Sequence, residues 1–428
     1  MYKKQGSLYY SPSDLTRYMD SPYASWMDRL VIEQPDIPLQ KDPDDPLMSL
    51  LVQKGYAHED ALEATLTGQG LSLIKIESGS KEEKREQTLV AMHEGVDVIV
   101  QARLELDDFG GFADFLVKVS GPSQLGDYHY EVWDTKLATK IKPTFVIQLC
   151  CYAEMLESIQ GYLPAFITVA LGNGEQTKLR TRDYFYYYQS LKAAFLNCQN
   201  NFDPDKAADP AESLNWANWS GVAEQLLIEK DHLFQVANIT RGQIKKLNQA
   251  NIATMQQLAD TTLGHVSGIN PGVLEKLKSQ AAIQKQSVDC ETPRFKILSP
   301  ASDEKSGLAL LPPHSSLDVF FDIEGYPLDE GGLEYLWGCT YFDDKGARMF
   351  KDFWAHNREQ EKIAFESFIH WVYGRWQEDS TMHIYHYANY EIAACRKLMG
   401  RFGICEYEVD QLLRNEVFVD LYKIVKGG

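Results

Sequence analysis

Residues 130–156, YEVWDTKLATKIKPTFVIQLCCYAEML, set an acid two positions before a lysine and then turn into a helical pattern after Pro143. In an extended chain side chains alternate, so Asp134 and Lys136 point to one face about 7 Å apart along the backbone. In the helix that follows, Gln148 and Tyr152 stand one turn apart and lean over the same place. This is the chemistry of half a metal-dependent phosphodiester-cleaving site: the acid holds a divalent cation and the amine polarises a water. The competing reading is a plain buried strand and an amphipathic helix, with Lys136 extending its stem to solvent.

Acid-x-lysine alone recurs by chance in so acidic a chain, and its neighbours give it weight. Upstream, VIVQARLELDDFGGFADFLVKV reads as two strands joined by an Asp- and Gly-rich turn, with Asp114 interrupting an apolar run. A carboxylate inside a buried strand is costly to desolvate and calls for a metal or cation partner. Earlier still, GYAHEDALEATL reads as a helix with His58 and Glu59 on or near its apolar face, and imidazole serves as a ligand for Mn²⁺ or Mg²⁺-type sites.

The order of a helix-borne His, G-x-x-D, acid-x-Lys and Q-x-x-x-Y resembles the RecB-like branch of the PD-(D/E)xK nucleases over roughly residues 8–200. The subgroup it resembles carries an RNase H-like domain behind the nuclease and often a helicase after that. The resemblance makes SPSDLTRYMDSPYASWMDRL the opening helix, GYAHE the histidine motif, GGFADFLVKV the first acid and VWDTKLA the second acid with its lysine. It implies His58, Asp114 and Asp134 as metal ligands, with the carbonyl of Thr135 as a fourth. Lys136 would orient or activate the water, and Gln148 with Tyr152 would hold the strand and the DNA backbone. The implied cofactor is Mg²⁺ or Mn²⁺.

Many RecB-like nucleases also carry an iron–sulphur cluster held by one cysteine near the first helix and three after the core. Here the first position reads Ser21-Pro22, and AESLNWANWSGVAEQ keeps tryptophans without a cysteine. Four thiolates are needed, so no cluster is expected. The seven cysteines show no C-x-x-C spacing and read as reduced, buried thiols of a cytosolic protein, with Cys150 and Cys151 as packing residues. No apolar run reaches the length of a membrane span, and MYKKQGSLYYS lacks the apolar stretch of a signal peptide, so the expected location is cytoplasmic, with no membrane partner. The net charge of −19 argues against a protein that coats DNA through basic surface alone, since phosphate contacts rely on Lys and Arg. It leaves room for an enzyme with a local basic strip such as Lys136, Lys140 and Lys142. Lys81, Lys84 and Arg85 lie in a second, mixed-charge strip, and both strips also read as solvated surface.

The text loosens through NNFDPDKAADPAESLNWANWSG, which sets a boundary. Short helices follow, broken at Asn251-Ile252-Ala253-Thr254 and at Ser267-Gly268-Ile269-Asn270, and the pair resembles a helix-hairpin-helix module. Such modules grip a DNA backbone through turn amides and a helix N-terminus. A helical spacer is the alternative, because the first turn lacks its glycine. Beyond a Pro- and Ser-bearing linker, LDVFFDIEGYPLDEGGLEYLWGCTYFD brings Asp322 and Glu324 to one face of a strand, an arrangement suited to two metal ions. With Glu391 opening a later helix, this resembles the DnaQ-type, RNase H-like exonucleases. The departure is a glutamate at Glu391 where aspartate is usual, a shift that bears on rate. Asp420 reads as a structural residue, and the family's final motif is expected beyond Gly428.

The expected fold is thus α/β: a restriction-endonuclease-like mixed sheet flanked by helices over residues 1–205, a linker over 206–230 and a small helical segment over 231–290. A second linker over 291–314 leads to an incomplete RNase H-like domain over 315–428. Two functions compete: a metal-dependent DNA nuclease acting with a helicase domain or subunit in repair or defence, and a DNA-binding or targeting module of such an assembly with weak or no catalysis. Single- or double-stranded DNA is the expected partner in either case.

Overall fold

Alternation of apolar and polar residues between 98 and 136 produces three long neighbouring strands, and the rest of the N-terminal architecture is laid against them. The computed structural model describes residues 1–4, 6–297, 306–329 and 331–427. The chain divides into two units, Met1–Arg294 and Phe295–Gly428. The first begins with a hairpin of β1 (Tyr2–Lys4) and β2 (Ser7–Tyr9), then α1 (Pro12–Asp20), α2 (Pro22–Glu33), α3 (Pro46–Gly68), β3 (Leu73–Lys75) and α4 (Lys81–Glu94). The meander β4 (Val98–Leu106), β5 (Phe109–Ser123) and β6 (Gly126–Lys136) follows, then α5 (Pro143–Gln160), β7 (Phe166–Leu171), β8 (Gln176–Arg180) and α6 (Arg182–Asn200).

Local signals set the helix ends. Pro opens α1, α2, α3 and α5, where a missing N–H costs nothing, and Ser11 with Asp14 and Ser80 with Glu83 form reciprocal caps. Gly95 and Gly161 end α4 and α5 in the left-handed conformation. The six strands run β3-β4-β5-β6-β7-β8, antiparallel across β4, β5 and β6 and parallel between β6 and β7. One face packs Leu116, Tyr130 and Val132 against Ile147, Leu149 and Leu156 of α5. The other packs Val98, Val100 and Phe115 against Leu62 and Leu66 of α3. Each such buried side chain contributes about 1.5–3 kcal/mol.

Residues 206–230, expected as a linker, are built into this unit instead. They form the short turns Pro210–Glu212 and Ala217–Trp219 and helix α7 (Ser220–Glu229). Trp219 is fully buried among Tyr23, Met27 and Leu30, and its Nε1 donates to Asp28 Oδ1 at 3.1 Å. Tyr23 N donates to Ser213 Oγ at 3.1 Å and Leu214 N to Asp20 O at 2.9 Å. Low periodicity concealed this packing, because single tryptophans bury a large area without needing a repeat.

Helices α8 (Arg241–Gln249), α9 (Met255–Asp260) and α10 (Pro271–Ser287) share a separate core of Leu247, Leu258 and Leu274. Thr254 and Asn270 cap α9 and α10. The turn without a glycine is accommodated by Asn251 at φ 61°, a conformation asparagine tolerates, while Gly268 takes φ 78° in the second.

The second unit contains β9 (Val319–Tyr326), β10 (Leu333–Phe342), β11 (Arg348–Trp354), α11 (Arg358–Glu378), β12 (Ile384–His386), α12 (Tyr390–Phe402), α13 (Glu406–Arg414), β13 (Phe418–Asp420) and α14 (Leu421–Gly427). Its sheet runs β11-β10-β9-β12-β13, antiparallel on the β11 side and parallel from β9 to β13. Val319, Phe321 and Ile323 face a core with Trp337, Phe365 and Phe368, so Phe320, Asp322 and Glu324 face outward. Of the linker expected over 291–314, residues 298–305 lie outside the described residues.

All seven cysteines are free, and Cys150, Cys151, Cys339 and Cys395 are buried as expected from their apolar neighbours. Cys198, Cys290 and Cys405 are only half-buried, a correction to the reading of all seven as core thiols. Among the described residues no helix is long and apolar enough to cross a membrane.

Candidate active site

Asp134 sits where the sheet forks. Strand β6 is paired with β5 as far as Phe115↔Trp133, whereas its pairing with β7 runs from Val132 to Lys136. Beyond Trp133 the β5 side of the strand is open, and the Asp114 carboxylate fills the gap: its Oδ2 accepts from Thr135 N at 2.9 Å and from Thr135 Oγ1 at 3.0 Å. Asp114 therefore meets a backbone amide and a hydroxyl rather than the cation expected for a carboxylate in that strand.

Asp134 is 1 % exposed. Its Oδ1 accepts from Gln148 Nε2 at 3.4 Å, and its Oδ2 lies 2.6 Å from Lys136 Nζ. Apart from this close lysine contact, no other group reaches that buried Oδ2. Burial, and then the neighbouring Asp114 carboxylate, push the Asp134 carboxyl up to about 8 against the opposing pull of Lys136. Lys136 also stands 5.4 Å from the centre of the Phe145 ring.

Tyr152 is buried and donates its hydroxyl to Phe112 O at 2.7 Å. It holds β5 in place, and its buried hydroxyl cannot also meet DNA. This contact explains a glycine of GGFAD: an alanine Cβ at Gly111 would stand 2.6 Å from the Tyr152 hydroxyl oxygen.

His58 reaches the sheet from α3, and its Nε2 lies 3.2 Å from Ala170 O, one strand over from Thr135. The expected trio of His58, Asp114 and Asp134 is not assembled: among the described residues no three His, Cys, Asp or Glu side chains are grouped to hold a metal. Spacing in sequence gave each residue its element, while the direction of the His58 ring depends on how α3 crosses the sheet. Asp114 and Asp134 do come together. Two adjacent carboxylates with a buried oxygen that only Lys136 approaches fit a hard divalent cation. Glu59, placed beside His58 by the sequence but given no role there, and Gln101, which carried no signal, also belong to this neighbourhood. Glu59 Oε1 accepts a short hydrogen bond from Gln101 Nε2, and burial, with a smaller push from Asp114, raises the Glu59 carboxyl. The acid beside His58 was visible in GYAHE, but a glutamine within a strand carries no signal.

The C-terminal acids are arranged differently. Asp322 and Glu324 face a cleft of about 440 Å³ that Phe320, Tyr385, His386 and Tyr387 also line. Glu391 does not join them. It is buried, its Oε2 lies 3.4 Å from His386 Nδ1, and neither His386 nitrogen has a partner in hydrogen-bond geometry. The preceding Tyr390 donates to Glu334 Oε2 at 2.7 Å, with its hydroxyl against Gly325 beside Glu324. Asp420 accepts from Ala388 N at 3.0 Å and Tyr422 N at 2.9 Å, the structural role expected of it.

Residues 319–428 match the RNase H superfamily. That match and the mixed sheet make the C-terminal region an RNase H-like domain, a fold whose members are usually metal-dependent nucleases and which points to nucleic-acid processing. No curated protein matches the chain.

Proposed function

We propose that this protein is a divalent-metal-dependent nuclease that hydrolyses DNA phosphodiester bonds with its N-terminal unit, as part of a nuclease–helicase system in repair or defence. The observation that carries the reading is the meeting of Asp114, Asp134, Lys136 and Gln148 at the open side of β6. Asp114 and Asp134 would hold Mg²⁺ or Mn²⁺, with the Thr135 carbonyl as a further oxygen donor. When bound, the cation supplies Lewis-acid stabilisation of the phosphoryl oxygens and a more acidic water.

The chain's own groups do the rest. Gln148 orients Asp134 through Oδ1, Thr135 orients Asp114 through Oδ2, and Tyr152 fixes the strand that carries Asp114. Lys136, tethered to Asp134 and 23 % exposed at its side chain, keeps an ammonium at the solvent side, where it orients the attacking water. The turns before α9 and α10 offer backbone amides suited to a phosphate backbone, in keeping with the helix-hairpin-helix resemblance.

A second reading, a DNA-binding or targeting module without cleavage, is favoured by the engagement of His58 with the Ala170 carbonyl and of Lys136 with the acid it would serve. The deciding experiment incubates the full chain with single- and double-stranded DNA, with and without Mn²⁺, and resolves product lengths. Metal-dependent cleavage lost in Asp134→Ala and Lys136→Ala supports the nuclease. DNA binding with no cleavage under any condition supports the module.

A further inference from the structure

The Asp114 position is a gap in two ladders, and something must hold it open. On the β6 side the ladder stops at Trp133; on the β4 side the paired residues run Val100↔Phe115 and then Ala102↔Ala113, skipping Gln101 opposite Asp114. Gln101 is at φ 54°, inside a strand, where a residue with a side chain is held only if its surroundings impose it. Its side-chain amide is tied to Glu59 on α3. Glu59 also faces Asp114 and the ammonium of Lys75 on β3, besides Asp60 on its own helix.

We propose that Glu59 and Gln101 are positioning residues of the acid site: the Glu59 carboxylate pegs the Gln101 amide, which keeps the β4 backbone turned away from Asp114 and leaves that carboxylate free to face Asp134. Without the peg, Gln101 can relax into the extended conformation and close the skipped pair, carrying the Asp114 backbone with it. Second-layer contacts of this kind typically change metal affinity 10- to 100-fold. The inference rests on the proposed nuclease site and deepens it, since it gives α3 a role at the acids through Glu59.

The test is Mn²⁺ binding, followed by the paramagnetic signal of free Mn²⁺, in the full chain carrying Asp322→Ala so that the C-terminal acid pair is broken. Glu59→Ala and Gln101→Gly are expected to weaken Mn²⁺ binding about tenfold. Glu59→Gln, whose amide oxygen still accepts from Gln101, is expected to stay within about twofold of the parent by the same measure. Gln101→Gly should melt no lower than the parent, because glycine takes either φ 54° or the extended conformation without strain, which separates positioning from a general loss of stability. Parent-like Mn²⁺ binding in both Glu59→Ala and Gln101→Gly overturns the proposal. So does a loss in Glu59→Gln equal to that in Glu59→Ala, which would make the charge itself the active feature. If Asp134→Ala in the same background also binds Mn²⁺ like the parent, the acid site falls, and this inference with it.

Discussion

The two units each carry paired functional groups at i and i+2 of a central strand, Asp134 with Lys136 and Asp322 with Glu324, yet they treat them in opposite ways. The N-terminal acid is buried at a fork in the sheet, braced by Gln148 and set 2.6 Å from a lysine ammonium. The C-terminal acids lie open on a cleft, and the glutamate expected to join them is turned inward against His386. Identical spacing therefore says which face a pair shares and nothing about whether the third group arrives. At the first site ladder gaps create room for side chains to converge. At the second, the buried carboxylates of Glu334 and Glu361 tie the start of β10 to Arg358 of α11 and to Tyr390 and Arg401 of α12.

That contrast is open to direct attack. The largest expected effect is on cleavage: Asp134→Ala or Lys136→Ala lowers the rate at least ~100-fold, the loss typical when a group at the reacting centre is removed. Asp322→Ala is the lesser change in the same product-length assay, and the reverse order would make the open cleft the cutting site. Glu361→Ala tests the structural network. Its carboxylate accepts from Arg358 Nη1 at 2.7 Å, Arg401 Nη1 at 3.1 Å and Glu334 N at 2.8 Å, and removing it should cost about 1–3 kcal/mol in denaturant unfolding of the C-terminal unit.

The two glycines beside the acids give a matched pair. Gly111→Ala drives a Cβ against the buried Tyr152 ring, which is fixed to β5, and should cost about 2 kcal/mol. Gly325→Ala meets the hydroxyl end of Tyr390, a half-exposed ring that can swing, beside the buried Glu334 carboxylate, and should cost about 1 kcal/mol on the same scale. Equal losses in thermal or denaturant unfolding would remove the distinction between a rigid first site and a yielding second one.

The smallest effect concerns the edge of the first sheet. Asp97 is held down to about 2 by Lys118 and then by the hydroxyl and amide of Ser72. A depressed carboxylate stabilises the fold above its unfolded value of about 3.9 and loses that contribution as pH falls toward 2. Asp97→Asn should therefore lower stability at neutral pH by less than about 1 kcal/mol, given the solvent screening there, with the deficit vanishing near pH 2. A deficit that persists below pH 2 would point to lost packing.

Much of this was legible in one dimension. Strand alternation and Pro-initiated helices located the elements around Asp114, Asp134, Gln148 and Tyr152, and the inward–outward period of β9 set Asp322 and Glu324 on one face. Those signals are local, so they survive in text. Trp219 packing across the presumed linker was illegible because one large side chain forms no pattern. Gln101 was illegible for a related reason: its backbone conformation is imposed by Glu59, forty-two residues away.

By itself the chain of residues determined which side chains share a face, where helices start and stop, and the aromatic, acid-paired strand of the RNase H-like region. Only tertiary structure decided that Asp114 and Asp134 meet, that His58 turns to the Ala170 carbonyl and that Glu391 is drawn inward to His386. The physical reason is range. Periodicity and capping act within a few residues, whereas the direction of a carboxylate or an imidazole depends on the crossing of elements far apart in the chain and on the desolvation each group meets there.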